Sequence, residues 1–246
     1  FLHIERGAAL RRSLLEYNHA EEIQETRNIP QHFTPALLKQ TPLPRDAGSA
    51  KPIFICGLPR SGTTLVEQIV STHSMVTAGD ELVALQRATA AVLRQKRIDK
   101  PFPLWANELQ PSDWKAIGDN YQTLTKELHV TPFFTDKNLQ NYKALGLIHL
   151  ASPEAKIIFC RRKPMDNLWG CYRQYFADGL RFTYDQEELA DTYHAAAELY
   201  RYWQQVLADK IFFLEYETLI NDYEATVKAL LNFLDLPWEE NCLHFY

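Results

Sequence analysis

The chain has 246 residues, enough for one sizeable core and short for two. Its 46% hydrophobic and 23% charged residues match an ordinary globular domain and exclude a disordered, collagenous or simple coiled-coil chain. A net charge of −5 offers no basic face for nucleic acid or an anionic membrane, so any anion site must be local, and no apolar run reaches the roughly 18 residues of a transmembrane segment.

Residues 1 to about 40 read as helical and polar, with Leu10, Leu14 and Leu15 spaced for one helix face. Pro42, Pro44 and Gly48 then mark a linker, which puts a domain boundary near residue 50: a helical extension over 1–49, then one domain over 50–246. From there short apolar runs alternate with helical stretches. Strands are expected over 52–56, 133–135, 156–160 and 211–214, followed by helices from Thr63, Asn138, about Met165 and Glu224. Strands each followed by a helix imply parallel crossovers, hence a three-layer α/β domain with a mostly parallel sheet. The interval 82–130 is helix-rich, with Trp105 and Trp114 as packing residues, and no internal repeat is present.

Cys56, Cys160, Cys171 and Cys242 show no paired spacing, and the first two lie inside apolar runs. They read as buried thiols in a reducing compartment, so the expected location is cytoplasmic, with neither a zinc site nor a disulfide framework. The chain starts at Phe1 without a signal-peptide pattern and stops shortly after Cys242, so more sequence is expected on both sides.

The strongest local signal is the segment from Ile53 through Gly57-Leu58-Pro59-Arg60-Ser61-Gly62 to Thr63-Thr64-Leu65: a strand, a loop bounded by two glycines, and a helix opening on hydroxyl residues. That geometry makes an anion cradle, because backbone N–H groups converge at the loop and the helix dipole adds partial positive charge. Its spacing matches G-x-x-x-x-G-K-[ST] except that Thr63 stands in place of the lysine. Reach toward the terminal phosphates of a triphosphate is therefore lost, and Arg60 supplies a cation from the loop itself.

Gly57 to Thr64 resembles the 5′-phosphosulfate loop of the PAPS-dependent sulfotransferases. The form with arginine is closest to the tyrosylprotein sulfotransferases and to bacterial sulfotransferases joined to tetratricopeptide repeats. The resemblance runs from about residue 50 to the end of the chain. It implies a P-loop-like, nucleotide-kinase-like α/β fold, 3′-phosphoadenosine 5′-phosphosulfate (PAPS) as sulfuryl donor, no metal, and an upstream repeat domain. Pro59, Arg60, Ser61, Gly62, Thr63 and Thr64 would then hold the donor's 5′ end.

Further along, Gly79-Asp80-Glu81 resembles the family segment whose second acid is the general base, which makes Glu81 the base here. Lys137, just past the strand ending in Thr135-Asp136, resembles the lysine that neutralises charge on the leaving phosphate. The strand running into Arg161-Arg162-Lys163 resembles the 3′-phosphate motif and assigns that contact to Arg162. Where the family has a serine on the following helix, this chain has Gly170, so a hydrogen bond of about 1.5–3 kcal/mol to a charged group is missing there. Tyr216, in Tyr216-Glu217-Thr218-Leu219, resembles the tyrosine that lines the nucleotide site.

The resemblance thus implies sulfuryl transfer to an acceptor hydroxyl, with Glu81, Arg60 and Lys137 catalytic. The acceptor is a protein tyrosine, a carbohydrate, a lipid or a small molecule. Phe176, Phe182, Tyr184, Tyr193 and Trp203 are residues for an acceptor cleft or for packing. Two other readings stay open: an ATP-dependent small-molecule kinase, for which Asp136 would be the metal-holding acid, and a non-catalytic nucleotide-binding module.

Overall fold

Lys51–Gly57 is apolar at every position after its first residue, and such a run without alternation belongs to a strand covered on both faces. In the computed structural model, which describes residues 1–40, 43, 49–177 and 179–244, this strand, β1, lies at the centre of a five-stranded sheet. The other strands are β2 (Val76–Thr77), β3 (Phe133–Asp136), β4 (Lys156–Arg161) and β5 (Ile211–Glu215). Their order is β2-β3-β1-β4-β5, and every pairing is parallel.

The pleat of β1 divides the core. Ile53 and Ile55 face one layer, where they meet Val66 and Ile69 of α4 (Thr63–Ser71) and Leu230 of α11 (Tyr223–Phe233). Phe54 and Cys56 face the other layer. That layer is built from α2 (His19–His32), α5 (Ala84–Lys96), α6 (Pro111–Leu124), α7 (Leu145–Ala151) and α9 (Gln186–Val206). The result is the expected three-layer α/β architecture.

Several elements depart from the sequence reading. Leu14 and Leu15 lie beyond α1 (Leu2–Ser13), and Leu10 and Leu14 are exposed, so the three leucines do not form a buried face; Ala8 is the buried residue of that helix. α2 and the short α3 (Pro35–Leu38) bring Ile29, Phe33 and Leu38 into the same core as the sheet. The linker residues Pro42, Pro44 and Gly48 lie outside the described residues. After β3 the chain makes a 3-10 turn over Leu139–Lys143 before α7, because the Asn138 side chain accepts the Gln140 N–H at 3.1 Å and competes with a regular helix start. Trp105 and Trp114 pack on Phe33, each with ring centroids 6.3 Å from it.

The topology fixes where a ligand can sit. β1 leads through α4 toward β2 on one side, whereas β4 leads through α8 (Pro164–Tyr172) and α9 to β5 on the other. The carboxyl ends of β1 and β4 therefore flank the switch point, the crevice where open α/β sheets hold ligands. Among the described residues no helix is long and apolar enough to cross a membrane.

Candidate functional site

The loop between β1 and α4 is shaped by its glycines. A Cβ on Gly57, at φ +147°, would overlap the Cys160 carbonyl oxygen of β4, so the loop leaves the sheet pressed against its neighbour. Arg60 and Gly62 both adopt positive φ, 65° and 99°, and Gly62 is the N-cap of α4. The first-turn amides of α4, at Thr63 and Thr64, have no acceptor within the helix and face the end of the sheet. Ser61 is buried, and its Oγ lacks a hydrogen-bond partner.

Helix α8 holds this loop from the side. Asn167 donates its Nδ2 to the Pro59 carbonyl at 2.9 Å, and the Cys171 thiol approaches the same oxygen at 3.2 Å. Arg162 donates to the Arg60 carbonyl at 3.4 Å and stacks on the Tyr216 ring at 4.6 Å from its centroid. Tyr216 in turn covers Gly62, where a Cβ would lie 2.6 Å from the ring. Gly170 lies under Arg60, whose Cβ and Cγ are 3.3 and 3.5 Å from the place a Cβ would take. The Arg60 stem thus packs closely against this position, where an added Cβ would meet it in tight van der Waals contact. Arg162 and Gly170 therefore lie against Arg60 of the loop, and Tyr216 against Gly62 and Arg162, which gathers them beside the Pro59–Thr64 segment at the switch point. Three buried polar atoms without partners, Ser61 Oγ, Arg162 Nε and Asn167 Oδ1, belong to residues around a cavity of about 20 Å³ beside the loop.

A second group forms where β2 and β3 end. Lys137 is 6% exposed, and its Nζ lies 3.0 Å from Asp80, 3.1 Å from Glu81 and 3.9 Å from Glu67. Burial lowers the Lys137 pKa, but its bonds to Asp80 and Glu81 outweigh this and hold it above the usual lysine value; the same contact keeps Asp80 below the usual carboxylate range. The Lys137 N–H also donates to the Asp80 carbonyl at 2.9 Å, with Asp80 itself at φ 56°. Glu67, buried on α4, accepts from the Asp80 N–H and from the Thr135 hydroxyl, which ties this corner to the helix behind the loop. Glu81 keeps 61% of its side chain exposed, so its carboxylate is anchored by Lys137 on one side and open on the other. Neighbouring strands lie roughly 4.8 Å apart, so the ends of β3 and β4 stand about 10 Å from each other with the β1 loop between them.

Asp136 faces away from this edge. It is fully buried, accepts from Tyr121 at 2.9 Å and Asn141 at 3.1 Å, and burial raises its carboxyl to about 7. Among the aromatic residues considered for an acceptor cleft, Phe182, Tyr184 and Trp203 are core, with the Trp203 indole donating to the Tyr142 carbonyl. Tyr193 donates to the Arg162 carbonyl at 3.2 Å. Sequence reasoning missed Glu67 as a support of the second group, although an acid on the apolar stripe of α4 is a signal for it. Asn167, which the sequence offered with Cys171 and Tyr172 as a partial replacement for the serine missing at Gly170, holds the Pro59 carbonyl of the loop.

Comparison with known proteins follows the same lines. The model of the sulfotransferase family matches residues 52–240. An uncharacterized protein of Aquifex aeolicus is 30% identical over 236 residues, which are 93% of this chain and 30% of that protein. Protein-tyrosine sulfotransferase 1 of Danio rerio is 26% identical over 200 residues, 78% of this chain and 55% of that protein. The chain therefore spans well under two thirds of each of these relatives. Among solved structures, the sulfotransferase domain of the olefin synthase from Synechococcus PCC 7002 shares the fold with a TM-score of 0.57 at 20% identity, covering 84% of this chain and 81% of that one.

Proposed function

Because this chain belongs to the sulfotransferase family, we propose that it transfers the sulfuryl group of PAPS to an acceptor hydroxyl within a domain running from about residue 50. The observation that carries the reading is the convergence of three groups on one edge of the sheet: the glycine loop, the Arg162–Tyr216 stack and the Lys137–Glu81 pair. The residues fit the donor. The loop gives close backbone approach at Gly57 and Gly62, and buried Ser61 Oγ and Arg162 Nε are left without partners at the crevice where a nucleotide's phosphates would lie.

When bound, PAPS supplies a sulfuryl group that leaves its 5′-phosphate as the acceptor oxygen bonds to sulfur, the electron pair of the broken S–O bond staying on the phosphate. Glu81 takes the acceptor's proton on its exposed carboxylate edge. The α4 amides, Arg60 and Lys137 hold the 5′-phosphate and meet the charge that grows there. Arg162 meets the 3′-phosphate, and Tyr216 backs its guanidinium. The kinase reading lacks support in the geometry, since Thr63 replaces the loop lysine and both Asp136 oxygens are occupied inside the core. A reducing, cytoplasmic location is supported by four free, buried cysteines.

The test pairs binding with turnover. Glu81→Gln is expected to lower sulfate transfer from labelled PAPS by about 10²- to 10⁴-fold while adenosine 3′,5′-bisphosphate binds as before in calorimetry. Equal loss of both would refute Glu81 as the base, and no binding of the bisphosphate by the native protein would refute the donor.

A further inference from the structure

The turn that carries Glu81 is stitched along its length to the segment that carries Lys137. The Gly79 N–H donates to the Thr135 hydroxyl, the Lys137 N–H to the Asp80 carbonyl and the Asn138 side chain to the Leu82 carbonyl, each at 2.9 Å. A Cβ on Gly79 would lie 2.0 Å from the Thr135 carbonyl oxygen, so the turn presses directly on β3. One further bond reaches a different element. The Asp80 N–H, on backbone at φ 56°, donates at 3.1 Å to Glu67 Oε1, which belongs to α4 one turn beyond Thr63. The same oxygen accepts the Thr135 hydroxyl at 2.7 Å. Glu67 Oε2 then stands 3.9 Å from the Lys137 ammonium, which itself grips Glu81 at 3.1 Å.

A carboxylate is more than the two bonds at Oε1 require. Glu67 is 7% exposed on a helix whose Val66, Ile69 and Val70 are core, and an amide oxygen there would meet both donors at a lower desolvation cost than a charge. What an amide lacks is the charge that faces Lys137. The ammonium's other two partners, Asp80 and Glu81, have side chains 81% and 61% exposed, and Glu81 loses its charge once it takes a proton. Glu67 is the partner that keeps its place while this happens. Its helix also opens on the amides of the glycine loop, so one element carries both the cradle and the anchor of the base.

We propose that Glu67 is a positioning residue that aims Glu81 by two routes, the Asp80 backbone and the Lys137 ammonium. This rests on the sulfotransferase reading, in which Glu81 is the base. Labelled sulfate leaving PAPS, to 2-naphthol or to water, measures turnover, and calorimetry with adenosine 3′,5′-bisphosphate measures the donor site and verifies folding. Glu67→Gln, which keeps an acceptor oxygen, lowers kcat by about 10- to 100-fold while the KM for PAPS and the bisphosphate affinity stay within roughly twofold. In a protein already carrying Glu81→Gln the same change costs about threefold or less, because the group it aims is gone. Thr135→Val, which removes the hydroxyl shared by Glu67 and Gly79, lowers kcat in the same direction with the same collapse beside Glu81→Gln, and decides the matter if Glu67→Gln does not fold. Unchanged kcat, losses that multiply in the double variant, or bisphosphate affinity falling in step with kcat overturns the positioning role and leaves sulfuryl transfer standing. A native protein that binds the bisphosphate but releases no sulfate overturns Glu81 as the base and Glu67 with it, whereas one that does not bind the bisphosphate sinks the underlying reading.

Discussion

A methyl group at position 62 would sit 2.6 Å from the Tyr216 ring, on a backbone held at φ +99°. Gly62→Ala therefore strains the loop by about 1–3 kcal/mol and pushes the ring off the glycine, which removes the backing of the Arg162 guanidinium. The expected outcome is a lower melting temperature together with at least a tenfold loss of affinity for adenosine 3′,5′-bisphosphate in calorimetry; native affinity in this variant would mean that the stack is irrelevant to the nucleotide. At this scale the sequence was informative wherever chemistry is carried by neighbours in the chain. Gly57, Arg60, Gly62 and Thr63 announce a cradle by spacing alone. Lys137 and Glu81 do not announce each other: 56 residues separate them, and only the adjacency of β2 and β3 brings the ammonium within 3.1 Å of the carboxylate.

Among elements, α8 is the one that determines how firmly the loop is held. Asn167 and Cys171 lie one turn apart on it and share the Pro59 carbonyl, while Gly170 between them leaves room for the Arg60 stem. Asn167→Ala removes the shorter of these two contacts and is expected to destabilise the protein by about 1–2 kcal/mol in denaturant unfolding. It should also weaken bisphosphate binding several-fold, through the loop's position rather than through lost contact; a drop in stability with unaltered binding would show that the loop keeps its place without α8. The strands β1, β3, β4 and β5 were legible because each is a short apolar run. β2 was not, since Val76–Thr77 is too short to show any pattern and is defined only by its pairing with Phe133 and Phe134. α10 (Tyr216–Asn221) had no signal in the sequence, since no side-chain cap marks the helix start at Glu215.

The stability of the whole molecule should carry the signature of Asp136. Its carboxyl titrates at about 7 in the fold against 3.8 for an ordinary aspartate, so between about pH 4 and 7 the native state binds a proton that the unfolded chain has given up. Stability contributed by that proton is present below pH 4 and is lost as the pH rises through 7. Asp136→Asn should flatten this part of the profile, and melting temperatures measured from pH 4.5 to 8 check it: the native protein's values should decline relative to the variant's across the interval, and parallel curves would contradict the assignment. The order β2-β3-β1-β4-β5 has a further consequence for how the protein is made. β1 precedes its partners, which begin at Phe133 and Lys156, by about 80 and 100 residues, and the ring that covers Gly62 arrives only with Tyr216. Pairings so distant along the chain form slowly. A nascent chain thus carries the loop sequence without a finished cradle until the segment through Tyr216 has followed it, and nucleotide affinity is gained only then.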